Sequence, residues 1–126
     1  MSQATSSQEV QKTVDTYCAA WGEPDAMRRR ALLDAACAAH VVYTDPRVAT
    51  STAGALLDHI AGVLAKRPGA RIVRTSAVDA HHDLARFAWQ VVSADGAALL
   101  DGVDIVEFAG GKIVRIVGFF GELAAA

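Results

Sequence analysis

The sequence predicts an α+β fold: a cone-shaped α+β barrel in which three N-terminal helices pack on the concave face of a strongly curved, mainly antiparallel sheet. Three observations predict it. Apolar residues at helical spacing are confined to the first half of the chain, four long strand-like segments fill the second half, and no β-α-β alternation joins them. A meander that long and apolar has to twist and curl. Helices are available to cover only its concave side, so sheet and helices enclose a cavity between them.

In chain order, Ser6-Ser7-Gln8-Glu9 has the form of a capping box. Behind it Val10, Val14, Tyr17, Cys18 and Trp21 recur on one helical face, which predicts a helix from about Ser7 to Trp21. Gly22-Glu23-Pro24-Asp25 breaks the pattern. Pro24 is placed to open a second helix whose apolar side includes Met27, Ala31, Leu32 and Ala36, forming a helical hairpin. His40 to Asp45 is rich in β-branched and aromatic residues and is stopped by Pro46, so a brief strand ends there with Asp45 at its mouth. After a polar loop, Ser51 or Thr52 can cap a third helix with Leu56, Ile60, Val63 and Leu64 on one face, ended by Lys66-Arg67-Pro68-Gly69. Strands follow near Ala70–Val78, Asp83–Ser93, Ala97–Phe108 and Ile113–Phe120, with turns at Ala80-His81-His82, Asp95-Gly96 and Gly110-Gly111.

The 126 residues suit a single domain over 1–126, with 1–6 and 123–126 as frayed tails. Hydrophobic residues at 52% against 21% charged are those of a packed globule, not of a disordered segment. The net charge is −2 and the basic residues are scattered apart from Arg28-Arg29-Arg30, which reads as a wet helix face; nothing points to nucleic acid. Cys18 and Cys37 lie in Ala-rich helical patterns without metal-ligand spacing and read as buried free thiols, so no metal is expected. The start MSQATSSQEV has neither a basic n-region nor an apolar h-region, and no apolar run approaches the roughly 18 residues of a membrane span. A cytoplasmic protein with no membrane partner is expected.

Within the predicted strand 97–108, the period of two puts Leu100, Gly102, Asp104, Val106 and Phe108 on one face, where Asp104 is the only ionisable group. A charged, unpaired carboxylate there costs several kcal/mol. Asp104 is therefore either hydrogen-bonded to an amide or an Arg of a neighbouring strand, or a protonated acid of functional interest. Tyr17 sits mid-stripe on the first helix, a core tyrosine or a catalytic one. Asp45 before Pro46 is a turn former or a base at the strand mouth. His81 and His82, adjacent at a turn, point apart on an extended backbone and read as solvated; His59 flanks the apolar face of the third helix. Phe87, Trp89 and Val91 alternate on one strand face and, with Trp21 and Phe119 or Phe120, line the cavity or fill the core. No serine-nucleophile elbow, phosphate loop, dinucleotide fingerprint or zinc helix occurs.

The segments Asp15-Thr16-Tyr17-Cys18-Ala19-Ala20-Trp21, Val42-Tyr43-Thr44-Asp45-Pro46, Asp101 to Phe108 and Gly118-Phe119-Phe120-Gly121-Glu122 resemble the nuclear-transport-factor-2-like superfamily over nearly the whole chain. Within it the chain is similar to the SnoaL-like polyketide cyclases and to the ketosteroid isomerases. The resemblance implies that Tyr17 and Asp104 form an oxyanion hole, with Asp104 protonated, and that Asp45 is the general base. It implies further that Trp21, Tyr43, His59, Phe87, Trp89 and Phe120 contact the substrate, that no cofactor is used, and that two copies pair through the sheet. Trp21 and Trp89 stand where the isomerases place smaller groups, so a small apolar carbonyl compound is expected in place of a steroid. An epoxide-hydrolase arrangement is disfavoured because Arg86 points away from the face bearing Phe87 and Trp89; a dehydratase would want a pocket histidine pair. The expectation is an isomerase or cyclase acting α to a carbonyl, against a non-catalytic module that binds a hydrophobic ligand or dimerises.

Overall fold

The computed structural model describes residues 6–126. Helix α1 (Ser7–Ala20) begins where the Ser6 side chain accepts the Glu9 amide at 3.2 Å, and it buries Val10, Val14, Tyr17 and Cys18. Ser6 is thus part of the fold, while residues 1–5 of the expected N-terminal tail lie outside the described residues. Helix α2 (Ala26–Ala36) is opened not by Pro24 but by Asp25, whose carboxylate accepts the Arg28 amide at 2.9 Å. Proline has no side-chain acceptor for a free helical N–H, and aspartate does. The buried face of α2 is accordingly Arg29, Leu33 and Ala36, and Met27 is 84% exposed instead of facing the core. Arg29 corrects the wet-face reading of its run: its guanidinium donates back to the Glu23 and Pro24 carbonyls at 3.0 and 3.2 Å while its stem lies in the apolar row.

Strand β1 (Cys37–Asp45) starts directly after α2 and is longer than expected, so Cys37 is a buried strand residue and not a helical one. Strand β2 (Val48–Thr50) folds back on it in place of the predicted loop, with Asp45 opposite Val48. Helix α3 (Ala53–Lys66) is capped by Thr52 and buries Ala53, Leu56 and Ile60. Its exit runs through Gly69 at φ +82°, a conformation costly for a residue with a Cβ. The first long strand is split into β3 (Arg71–Arg74) and β4 (Asp79–His81), both against β5 (Leu84–Val92). Between them the Ser76 hydroxyl accepts the Ala88 amide at 2.8 Å and holds the break to the sheet. Of the expected turn residues, Ala80 and His81 belong to β4, and the turn is made by His82, at φ 53°, and Asp83. Strands β6 (Ala98–Ala109) and β7 (Lys112–Phe120) complete the meander through Gly110-Gly111, both at positive φ as a two-residue hairpin turn requires.

The sheet runs β2-β1-β7-β6-β5-β3, with β4 also on β5. The β1–β7 pair is parallel and the others are antiparallel. The sheet is mixed, curved and not closed into a full barrel, and three helices pack on it. Leu33 and Leu56 from the helices meet Val106, Ile113 and Ile116 from the sheet in a fully buried core. The convex face differs. Val103 lies opposite Phe119 and Ile105 opposite Val117, and Val103, Ile105 and Phe119 are 39%, 41% and 60% exposed. Both thiols are free and buried, and burial pushes each up to about 12. Among the described residues no helix is long and apolar enough to cross a membrane. Residues 123–126 run exposed beyond the last strand.

Candidate functional site

Between the helices and the concave face lies a cavity of about 100 Å³. Strand alternation on β6 aims Leu100, Gly102 and Asp104 inward, and Asp104 is only 6% exposed. Two glycines make room for it. A Cβ on Gly118, the residue opposite Asp104 on β7, would stand 2.9 Å from Asp104 Oδ1 and 3.5 Å from Asp45 Cβ. Gly118 therefore separates the two acidic residues and keeps the space between them open. A Cβ on Gly102 would stand 2.4 Å from Trp89 Cζ2. The Trp89 indole lies across that bare stretch of β6, and its Nε1–H donates to Asp104 Oδ1 at 2.9 Å.

Burial raises the Asp104 carboxyl from its ordinary 3.8 to about 7; the Trp89 N–H pulls the other way and the charge of Asp45 adds to the rise. Tyr17, 1% exposed on α1, faces the same cavity. Its oxygen accepts the Trp21 Nε1–H at 2.9 Å, one helical turn on, and among the described residues its own O–H donates to no protein acceptor. Burial first, then the charge of Asp104, holds this phenol well above its ordinary range, so it stays a donor.

Asp45 stands on the other side of Gly118, at the end of β1. Its Oδ1 accepts the Arg47 and Val48 amides at 2.7 and 3.1 Å, which shapes the tight turn into β2, and its Oδ2 accepts the Tyr43 hydroxyl at 2.6 Å. Burial, and then Asp45, drive the Tyr43 phenol far above its ordinary range. The rings of Trp21, Tyr43 and His59 stand 5.8 to 6.1 Å apart and wall one side. Phe120 meets Trp89 edge-on at 5.8 Å on the other.

The structure thus brings Tyr17, Asp45 and Asp104 to one cavity, together with Trp21, Tyr43, His59, Trp89 and Phe120. Phe87 is not among its walls. It sits opposite Asp104 on β5, 2% exposed, and fills the core beneath the helices. The cavity also contains residues that sequence reasoning passed over: Arg47, Arg67 and Arg71 at its rim, and the Gly118 gap. A glycine on an otherwise apolar strand face was the available signal for close approach. Away from the cavity, His81 and His82 do not point apart. The left-handed φ of His82 brings their Nδ1 atoms to 3.1 Å on the exposed turn. No group of three or more His, Cys, Asp or Glu side chains could hold a metal among the described residues.

A curved sheet with helices on one face is the fold of the nuclear-transport-factor-2-like class, and here a buried carboxyl and a buried phenol line one cavity within it. The family model for the SnoaL-like domain matches residues 14–116, and the chain belongs to that family. It is similar to the crystal structure of a proposed isomerase of the SnoaL-like family from Agrobacterium tumefaciens, with TM-score 0.84 and 33% identity, covering 91% of this chain and 99% of that one. A proposed SnoaL-like polyketide cyclase from Jannaschia sp. CCS1 shares the fold at TM-score 0.72 and 15% identity, over 94% and 91% of the two chains. A proposed ketosteroid isomerase from Kribbella flavida does so at TM-score 0.69 and 17% identity, over 94% and 82%. No curated protein matches the sequence.

Proposed function

We propose that the chain is a cofactor-independent acid–base catalyst acting α to the carbonyl of a small apolar compound. Asp45 takes the α-proton, the enolate oxygen receives hydrogen bonds from Tyr17 and protonated Asp104, and the proton is returned from Asp45 to another carbon. Return at the γ-carbon is isomerisation. In the cyclisation branch the enolate carbon attacks a second carbonyl of the same molecule, whose π bond opens to an alkoxide, and the proton goes from Asp45 to that oxygen instead of to carbon. The observation that carries this reading is a nearly fully buried carboxyl, anchored at Oδ1 by Trp89, in one cavity with a phenol whose proton is uncommitted. Oδ2 of Asp45 takes one hydrogen bond from Tyr43 and keeps a second lone-pair site for a substrate proton.

One observation favours a second reading, a non-catalytic binding module: the turn amides and Tyr43 already account for both oxygens of Asp45. Exchange of the α-protons of a β,γ-unsaturated ketone in D2O, followed by NMR, separates the two. On the catalytic reading Asp45→Ala loses at least about 100-fold in exchange rate, the usual worth of a positioned base. Wild-type protein that exchanges no faster than buffer, with phenol binding unchanged in Asp45→Ala, leaves only the binding module.

Two copies are proposed to pair across the convex face, where Val103, Ile105 and Phe119 form an exposed apolar stripe. Light scattering at micromolar concentration is expected to give the mass of a dimer, reduced to that of a monomer by Phe119→Glu. A wild-type monomer contradicts the pairing.

A further inference from the structure

We propose that the cavity mouth is an anion site, and that the carbonyl compound bound inside carries a carboxylate held there by Arg47, Arg67 and Arg71. This rests on the function proposed above and adds the substrate class to it. The three arginines come from separate parts of the chain: the β1–β2 turn, the residue after α3, and the first residue of β3. All three line the cavity, and all three are exposed at its edge.

None has an acidic partner among the described residues. Ion pairs among the described residues join Arg30 to Asp34, Arg74 to Asp15 and Arg86 to Asp79, so arginines elsewhere do find carboxylates. The rim arginines make only slight contacts. Arg47 lies over the Phe120 ring at 5.4 Å, and Arg71 reaches the Ser93 carbonyl at 3.5 Å. A chain of net charge −2 has thus gathered three unpaired cations around one opening.

The acids inside do not balance them. Burial pushes Asp104 up to about 7 and so toward its neutral form, and the single carboxyl of Asp45, with two amides and a phenol on it, stands against three guanidinium groups. The wall between Arg71 and Asp104 is apolar: Ile72 lies opposite Val91, and Val91 opposite Leu100, four residues before Asp104 on β6. A ligand fitting this gradient has a polar oxygen at the inner end, an apolar body, and a negative group at the outer end. Guanidinium pairs with carboxylate through two parallel hydrogen bonds, which suits the group to that end.

Calorimetry with four species tests this: 4-hydroxyphenylacetate, its methyl ester, phenylacetate, and phenylacetate's methyl ester. The phenol stands in for the enolate and the carboxylate for the outer anion. Wild-type protein in low salt is expected to bind each acid about tenfold or more tighter than its ester, the order of one charge-assisted pair. That preference shrinks toward unity in the Arg47→Ala/Arg67→Ala/Arg71→Ala variant, falls partway in Arg67→Ala alone, and weakens as salt is raised. The arginines are exposed, and an unchanged near-ultraviolet circular dichroism spectrum confirms an intact fold. Esters bound as tightly as acids, a preference that survives the triple substitution, or no binding of either acid overturns the proposal. The hydroxyl arm reports on the function separately. If 4-hydroxyphenylacetate binds no tighter than phenylacetate while the acid preference persists and depends on the arginines, the oxyanion hole fails and the anion site stands.

Discussion

Asp104 and Asp45 flank the same glycine, Gly118, yet the inner end of the cavity and its mouth treat a carboxyl group in opposite ways. At the inner end Asp104 has one Trp N–H and little water, so the proton is the cheapest partner available to its second oxygen. At the mouth Asp45 has two backbone amides, a phenol and partial exposure. The difference follows from position in the strand. A mid-strand residue has its neighbours' amides committed to the ladder, whereas a strand end before Pro46 offers free amides of the turn. One cavity thereby gives two carboxyl groups, a glycine apart, unlike surroundings.

The comparison breaks most visibly in the pH dependence of stability. With a native value near 7 and an ordinary value of 3.8, Asp104 binds more proton in the folded than in the unfolded chain throughout that window. Its contribution to stability therefore falls as pH rises from about 4 to about 7. Above that range the full cost of the buried charge is present, roughly 4 kcal/mol at about 1.4 kcal/mol for each pH unit. Asp104→Asn keeps an acceptor for Trp89 and has nothing to ionise. Urea unfolding at pH 4.5 and pH 8 is expected to show wild type losing stability across the interval relative to the variant, which is the more stable protein at pH 8. Equal changes in the two proteins would mean that Asp104 is charged at both pH values.

Much of the inner end was legible in the sequence because it depends on local periodicity. The period of two placed Asp104 on an apolar face, the helical stripe placed Tyr17 inside, and Ser6 and Thr52 announced the starts of α1 and α3. The mouth was not legible in the same way. Arg47 comes to line the same cavity as Arg67 and Arg71 through the pairing of β1 with β7 and of β3 with β5 in one curved sheet, and long-range pairing leaves no local pattern. On α2 the misplaced start shifted the whole face: once Asp25 is the cap, Arg29 and Leu33 turn inward and Met27 outward. The strand break after Arg74 depends on Ser76 taking the Ala88 amide, a contact 12 positions apart in sequence. Phe87 and Trp89 have the same parity, and only the depth of the core at Phe87 and the bare backbone at Gly102 distinguish a filler from a wall.

The smaller effect lies at the mouth and sharpens the contrast. Tyr43→Phe removes the donor to Asp45 Oδ2 but leaves the two amides on Oδ1 and a partly exposed carboxylate that water can reach. The expected loss is about 1 kcal/mol, the net worth of one hydrogen bond replaced by solvent, and it should be the same at pH 5 and pH 8. Urea midpoints with an unchanged slope would show it. A loss above about 3 kcal/mol would instead be the signature of a buried acceptor left without a partner. In that event the mouth would be as dry as the inner end, and Asp45 would depend on its phenol as Asp104 depends on its proton.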